Sequence, residues 1–182
     1  MATNNIKILL VVALLLGITV RAQTVTSLDA ISNKTIVVEG DLSQGAVLET
    51  LRWAWNSSVA CFTEIQAHKF SGNHVLYVVT LPKYSEMEVM VTPKDKEANL
   101  SLYAYQIGQL SQDNLVPNLS SCIRCEADYK WDYKYKGKTQ DHTRTVKNLV
   151  AINNPYQVVI GVVGANDLTE GDFVLQVTLK TK

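Results

Sequence analysis

Between residues 74 and 105 the chain sets three strand-like runs in succession, each closed by a residue that stops a β-ladder. No other feature limits the fold as much. Val75, Leu76, Tyr77, Val78, Val79, Thr80 and Leu81 end at Pro82, which has no N–H to give a central ladder. Met87, Val89 and Val91 share one side of the next run, which stops at Pro93. Leu100, Leu102 and Ala104 share a face of the third, after a charged turn at residues 94–99 and before Gly108. The same rhythm returns later. Residues 143–152 are β-branched and alternate, and Asn153-Asn154-Pro155 is a turn. Residues 156–163 then form a nearly continuous apolar run of the kind buried on both faces. Phe173, Leu175, Val177 and Leu179 alternate with Val174, Gln176, Thr178 and Lys180 to close the series. An earlier run at residues 35–38 ends at Glu39-Gly40-Asp41. Many short strands with turns between them and little helix predict an all-β fold, an antiparallel β-sandwich or jelly-roll-like domain.

The segment around residues 46–55 fits two periods. Leu48, Leu51 and Trp55 recur at helical spacing, whereas Leu51, Trp53 and Trp55 fit alternation.

The N-terminus reads as an export signal over residues 1–22. A polar start with Lys7 leads into an apolar run at residues 8–20, and Val20-Arg21-Ala22 suits cleavage before Gln23. The run is shorter than the roughly 20 apolar residues that span a bilayer, so no membrane span is expected in the mature chain. Residues 23–34 read as a polar lead-in and 35–182 as one β-sandwich domain. With Lys7 and Arg21 removed, 15 basic residues face 17 acidic ones. That balance gives no field to steer the protein to nucleic acid, and no nucleic-acid partner is expected.

The strand edges carry a resemblance. A strand closed by a Pro turn is followed by Met87-Glu88-Val89-Met90-Val91 and Asn99-Leu100-Ser101-Leu102-Tyr103. After a long loop come Pro155-Tyr156-Gln157-Val158-Val159-Ile160-Gly161-Val162 and the closing Gly171-Asp172-Phe173-Val174-Leu175-Gln176-Val177. This order resembles the bacterial pre-peptidase C-terminal domain over about residues 36–179. The resemblance implies a β-sandwich with a non-catalytic role, here standing alone in an exported protein. The loop at residues 120–142, with its cysteines and aromatic residues, is not part of that family's pattern. Some members bind calcium through acidic loops, and the densest acidic stretch here is Asn166-Asp167 with Glu170-Gly171-Asp172. Its spacing is that of turns and does not match a calcium loop, so calcium is what the resemblance alone allows and no other cofactor is expected. A bacterial host also leaves the four N-x-S/T sequons at Asn33, Asn56, Asn99 and Asn118 without a glycosylation role.

Cys61, Cys122 and Cys125 are an odd number of thiols in a chain bound for an oxidising compartment. Glu126 stands where a c-type haem motif needs histidine, and the surroundings of Cys122-Ile-Arg-Cys125 suggest no thioredoxin-like helix. A zinc site would need all three cysteines and His142. One structural disulfide with one thiol left over is the simpler expectation. A bridge from Cys61 to Cys122 or Cys125 is favoured over the local Cys122–Cys125 link, because the longer loop gains more from closure.

The candidate binding surface is Tyr129, Trp131, Tyr133 and Tyr135, which alternation places on one side of an extended segment opposite Lys130, Asp132, Lys134 and Lys136. Such rings stack on sugars or anchor protein interfaces, although a strand packed over the sandwich edge shows the same pattern. His68, His74 and His142 stand apart, with neither H-E-x-x-H nor G-x-S-x-G in the chain. No catalytic residues are therefore assigned. The expected function is an exported, non-catalytic binding or accessory protein, secreted or periplasmic, with an extracellular glycan or protein as partner. A carbohydrate-binding module using Tyr129 to Tyr135 and a hydrolase with a dispersed site are the alternatives.

Overall fold

Nine strands pair into two sheets in the computed structural model, which describes residues 23–130 and 141–182. In chain order they are β1 (Val25–Leu28), β2 (Lys34–Asp41), β3 (His74–Leu81), β4 (Ser85–Pro93), β5 (Leu100–Ile107), β6 (Arg124–Asp128), β7 (Arg144–Ala151), β8 (Tyr156–Gly164) and β9 (Asp172–Thr181). The five-stranded sheet runs β1-β3-β8-β5-β6 and the four-stranded sheet β2-β9-β4-β7. All neighbours are antiparallel except β1 and β3. The fold is an all-β sandwich. The residues assigned to an export signal, 1–22, lie outside the described part. No helix among the described residues is long and apolar enough to cross a membrane.

The alternation in the sequence is the alternation of the core. Met87, Val89 and Val91 of β4 and Phe173, Leu175, Val177 and Leu179 of β9 point inward from the four-stranded sheet. They meet Val158, Ile160 and Val162 of β8 and Leu100, Leu102 and Ala104 of β5. The run at 156–163 is the middle strand of its sheet, and both its faces are buried. Ile160 and Val162 enter the inter-sheet core, while Val159 and Val163 face the other way into a second apolar cluster.

Three local features depart from the sequence reading. The polar segment expected to be a lead-in contains β1, which lies parallel to β3 with Val25 opposite Leu76. The loop expected at 120–142 begins as β6, an edge strand paired to β5. In β7 the alternation is interrupted. Val146 and Leu149 both enter the core although they are three positions apart, because a register shift against β4 and a left-handed Asn148 (φ 60°) take up the extra residue.

Residues 42–73 form no strand. The 3-10 turn Leu42–Gln44 sets Leu42 into the inter-sheet core, and the 3-10 turns Arg52–Trp55 and Glu64–Phe70 lie over the outer face of the five-stranded sheet. Neither of the two periods open for residues 46–55 runs through the segment: residues 46–51 are irregular, and only Arg52–Trp55 forms a 3-10 turn, which buries Trp53. Trp53, Phe62 and Phe70 from this cover pack on Tyr103 and Tyr105 of β5, joined by Leu115, Val116 and Leu119 from the loop after β5. The molecule thus has two cores, one on each face of the five-stranded sheet.

Candidate binding surface

The outer core places the cysteines. Cys61 and Cys125 form a disulfide across 64 residues, tying the 3-10 cover to β6, and Cys122 is left as a half-buried thiol. Burial holds that thiol above the usual cysteine value, so it is a weak nucleophile at neutral pH. The pairing removes two of the ligands that a zinc site would need. His142 Nδ1 lies 3.1 Å from Nη2 of the buried Arg144, which also donates to Asn99 Oδ1 at 2.9 Å. Among the described residues no three His, Cys, Asp or Glu side chains are arranged to hold a metal ion.

His74 opens β3 and is an interior residue. Its ring is buried, with Nδ1 3.2 Å from Tyr103 Oη and Nε2 2.9 Å from the Phe70 carbonyl oxygen. Burial pushes its pKa down to about 4, so the imidazole is neutral at pH 7. Tyr103 itself crosses β8 directly over Gly161, where a Cβ would collide with the phenol ring. That close approach is why a glycine interrupts an otherwise large-residue strand. The Tyr105 hydroxyl donates to Asn114 O at 3.2 Å and accepts from Val116 N–H at 3.3 Å, fixing the loop after β5. These polar ties inside an apolar cluster have no signature in the sequence.

Of the four aromatic residues proposed for binding, Tyr129 is described. It is half-buried and sets its ring edge-on to Phe70, with centroids 5.6 Å apart. Its ring therefore extends the outer core. Trp131, Tyr133 and Tyr135 lie outside the described residues. The acidic stretch near the start of β9 divides. Asn166 N–H donates to His68 O and Asp167 N–H to Ser71 Oγ, which is turn chemistry that anchors the cover. Glu170 and Asp172 line an open concavity with Asp41, whose two carboxylate oxygens accept from Ser43 N–H and Oγ. Those bonds hold the Asp41 pKa below its ordinary value.

A second concave surface was not anticipated. At the end of the four-stranded sheet, Tyr84, Ser85, Glu86, Val150, Ala151, Ile152, Lys180 and Lys182 enclose about 480 Å³. Tyr84 is the turn residue between β3 and β4. Its backbone is left-handed (φ 58°), a conformation that costs a bulky residue about 1–3 kcal/mol. Two backbone bonds hold it there, Tyr84 N–H to Ile152 O at 3.1 Å and Lys182 N–H to Tyr84 O at 3.0 Å. The result is an exposed ring, 54% accessible, beside an Ile152 that is 64% accessible. Lys83 Nζ sits 5.7 Å from the ring centroid. Three lysines therefore surround an apolar floor that carries one carboxylate, Glu86. Neither concavity is lined by a histidine. The signal for this surface was present in the sequence as Pro82-Lys83-Tyr84, but only tertiary contact adds Ile152, Lys180 and Lys182 to it.

No family model and no curated protein matches the chain. Among solved structures it is similar to the pre-peptidase C-terminal domain of a collagenase from Bacillus anthracis, at 10% identity over 87% of this chain and 98% of that one, TM-score 0.41. It is also similar to PliG of Aeromonas hydrophila, a periplasmic inhibitor of g-type lysozyme, at 12% identity over 87% and 99% of the two chains, TM-score 0.38. A third is CorA, a surface-associated copper-binding protein of Methylomicrobium album BG8, at 12% identity over 88% and 100%, TM-score 0.41. These are likenesses only. The sandwich itself rests on the strand pairing described above.

Proposed function

We propose that the protein is an exported, non-catalytic binding module that holds an acidic glycan outside the cytoplasm through the groove at Tyr84. The observation that carries this reading is the exposed Tyr84 ring, fixed in a left-handed turn beside Val150 and Ile152 and rimmed by Lys83, Lys180 and Lys182. An aromatic face with an aliphatic floor suits the apolar side of a sugar ring, and lysines at the rim suit carboxylate or sulfate substituents. Export is supported by the signal-like residues 1–22 and by the Cys61–Cys125 disulfide, a bond that persists in oxidising compartments.

Binding to a glycan array at low and moderate salt tests the proposal. Acidic glycans should be retained over neutral ones, retention should fall as salt rises, and Tyr84→Ala should remove it. Retention lost with Trp131→Ala but kept with Tyr84→Ala would move the site to the Tyr129–Tyr135 segment. Hydrolysis of any bound glycan would replace the reading with the hydrolase alternative.

A further inference from the structure

The chain end that signal cleavage would create is held against the five-stranded sheet. Gln23, the residue after the expected cut at Ala22, lies two positions before Val25, and Val25 stands opposite Leu76 where β1 runs parallel to β3. The same register sets Gln23 beside His74, and Gln23 Nε2 donates to the His74 carbonyl oxygen at 3.1 Å. That oxygen also accepts from Ala46 N–H at 3.3 Å. Gln23 is half-buried, and Val25, on the same side of the extended chain, packs on the outer core. β1 is an edge strand of four residues with β3 as its neighbour, so the group at residue 23 governs how firmly this end is tied down.

A newly cut end carries an α-ammonium, and partial burial of a charge beside an apolar cluster costs free energy that a neutral group does not. Glutamine can remove that charge with its own side chain. An α-amine titrates at about 7.7–8.0, so at neutral pH a share of it is the unprotonated nucleophile. Its nitrogen attacks Cδ and closes a five-membered lactam, a step favoured because both reacting groups belong to one residue. The N–Cδ bond forms, the Cδ–Nε2 bond breaks, and Nε2 leaves as ammonia, carrying the proton that the amine gives up. Nothing is oxidised or reduced, and no co-reactant is consumed.

We infer that Gln23 is a modification site: once signal cleavage exposes its amine it closes to pyroglutamate, and the neutral ring caps β1 on β3 beside His74. The inference rests on the export reading above. Cyclisation removes the terminal charge. It leaves one N–H on the carbon that carried Nε2, so the His74 carbonyl oxygen keeps a donor at this end of the sheet. The same ring leaves no free α-amine for an aminopeptidase.

Mass spectrometry of the N-terminal peptide of the exported chain, isolated from its own cells, tests this. The peptide should start at residue 23 and be lighter than its sequence by one ammonia. Gln23→Ala, which has no side-chain amide to close the ring, should give its full sequence mass. Pyroglutamyl aminopeptidase should remove the ring readily from the isolated peptide and far more slowly from the folded chain, because there the ring is docked. A peptide that starts at residue 23 with its full mass overturns the inference and leaves the export reading standing. A chain that retains residues 1–22 overturns both. A ring removed equally fast from peptide and folded chain overturns its role as a cap.

Discussion

The two faces of the five-stranded sheet are buried by different means. On the inner face, strands meet strands. Val158, Ile160 and Val162 of β8 pack against β9 and β4, and period-2 alternation on both sheets supplies nearly every contact. On the outer face, strands meet irregular chain. Trp53, Phe62 and Phe70 come from 3-10 turns, and their aromatic contacts run continuously from Phe62 stacked on Phe70 at 3.7 Å to Trp53 against Tyr103 at 5.2 Å. The inner core is held in place by backbone ladders on both sides. The outer cover has few ladders of its own, so large rings, a buried histidine and a covalent link do that work. A sheet face can thus be closed without a second sheet, provided that something other than backbone pairing fixes the cover.

The sharpest way to break this comparison is to cut the covalent link. A chain-entropy estimate for a loop of 64 residues gives the disulfide roughly 4 kcal/mol. Cys61→Ser/Cys125→Ser should lose about that much in urea unfolding. In the same variant, amide exchange should rise at residues 52–70 while β8 stays protected. Equal loss of protection in β8 would mean that the two cores are one cooperative unit. Cys122→Ser, which leaves the bridge intact, should stay within about 0.5 kcal/mol of wild type.

Acid should act on the outer core in the same direction. The folded protein holds His74 neutral with a pKa of about 4 against an ordinary 6.5. The unfolded chain therefore binds the proton first, and stability is full above pH 6.5 and falls as the pH drops toward 4. The shift corresponds to about 3 kcal/mol, and little further loss from this group follows below pH 4. Urea midpoints measured between pH 7 and 4 should show the decline in wild type and a flatter profile in His74→Gln. Parallel profiles would show that other groups govern the acid limb.

A smaller loss than either of these belongs to the inner core. Ile160→Val removes one methylene from a close-packed, ladder-held site and should cost about 1 kcal/mol in the denaturant midpoint, with exchange at residues 52–70 unchanged. A rise in exchange there would show that strain crosses the sheet.

Much of this architecture is legible in the sequence. Prolines at 82 and 93 and the alternation in β4 and β9 announce where strands stop and which side is buried, because both signals are local. The cysteine arithmetic, together with loop-closure entropy, pointed to the long bridge that forms. β1 and β6 were not legible. Val25-Thr26-Ser27-Leu28 is short and polar, and β6 is an edge strand, so neither needs an apolar face of its own to be recruited by a neighbour's free ladder. The candidate groove was hidden for a related reason, since its lining comes from three stretches of chain brought together at one sheet end.

What the sequence determined by itself was therefore the inner sandwich, whose code is a period that each strand carries alone. Tertiary structure decided the rest. Gly161 makes room for Tyr103, Tyr103 and Phe70 hold His74, and Ile152 and Lys182 lock Tyr84 outward. Each of these depends on contacts between residues that no local pattern relates, because burial and hydrogen bonding are settled by which segments meet in space.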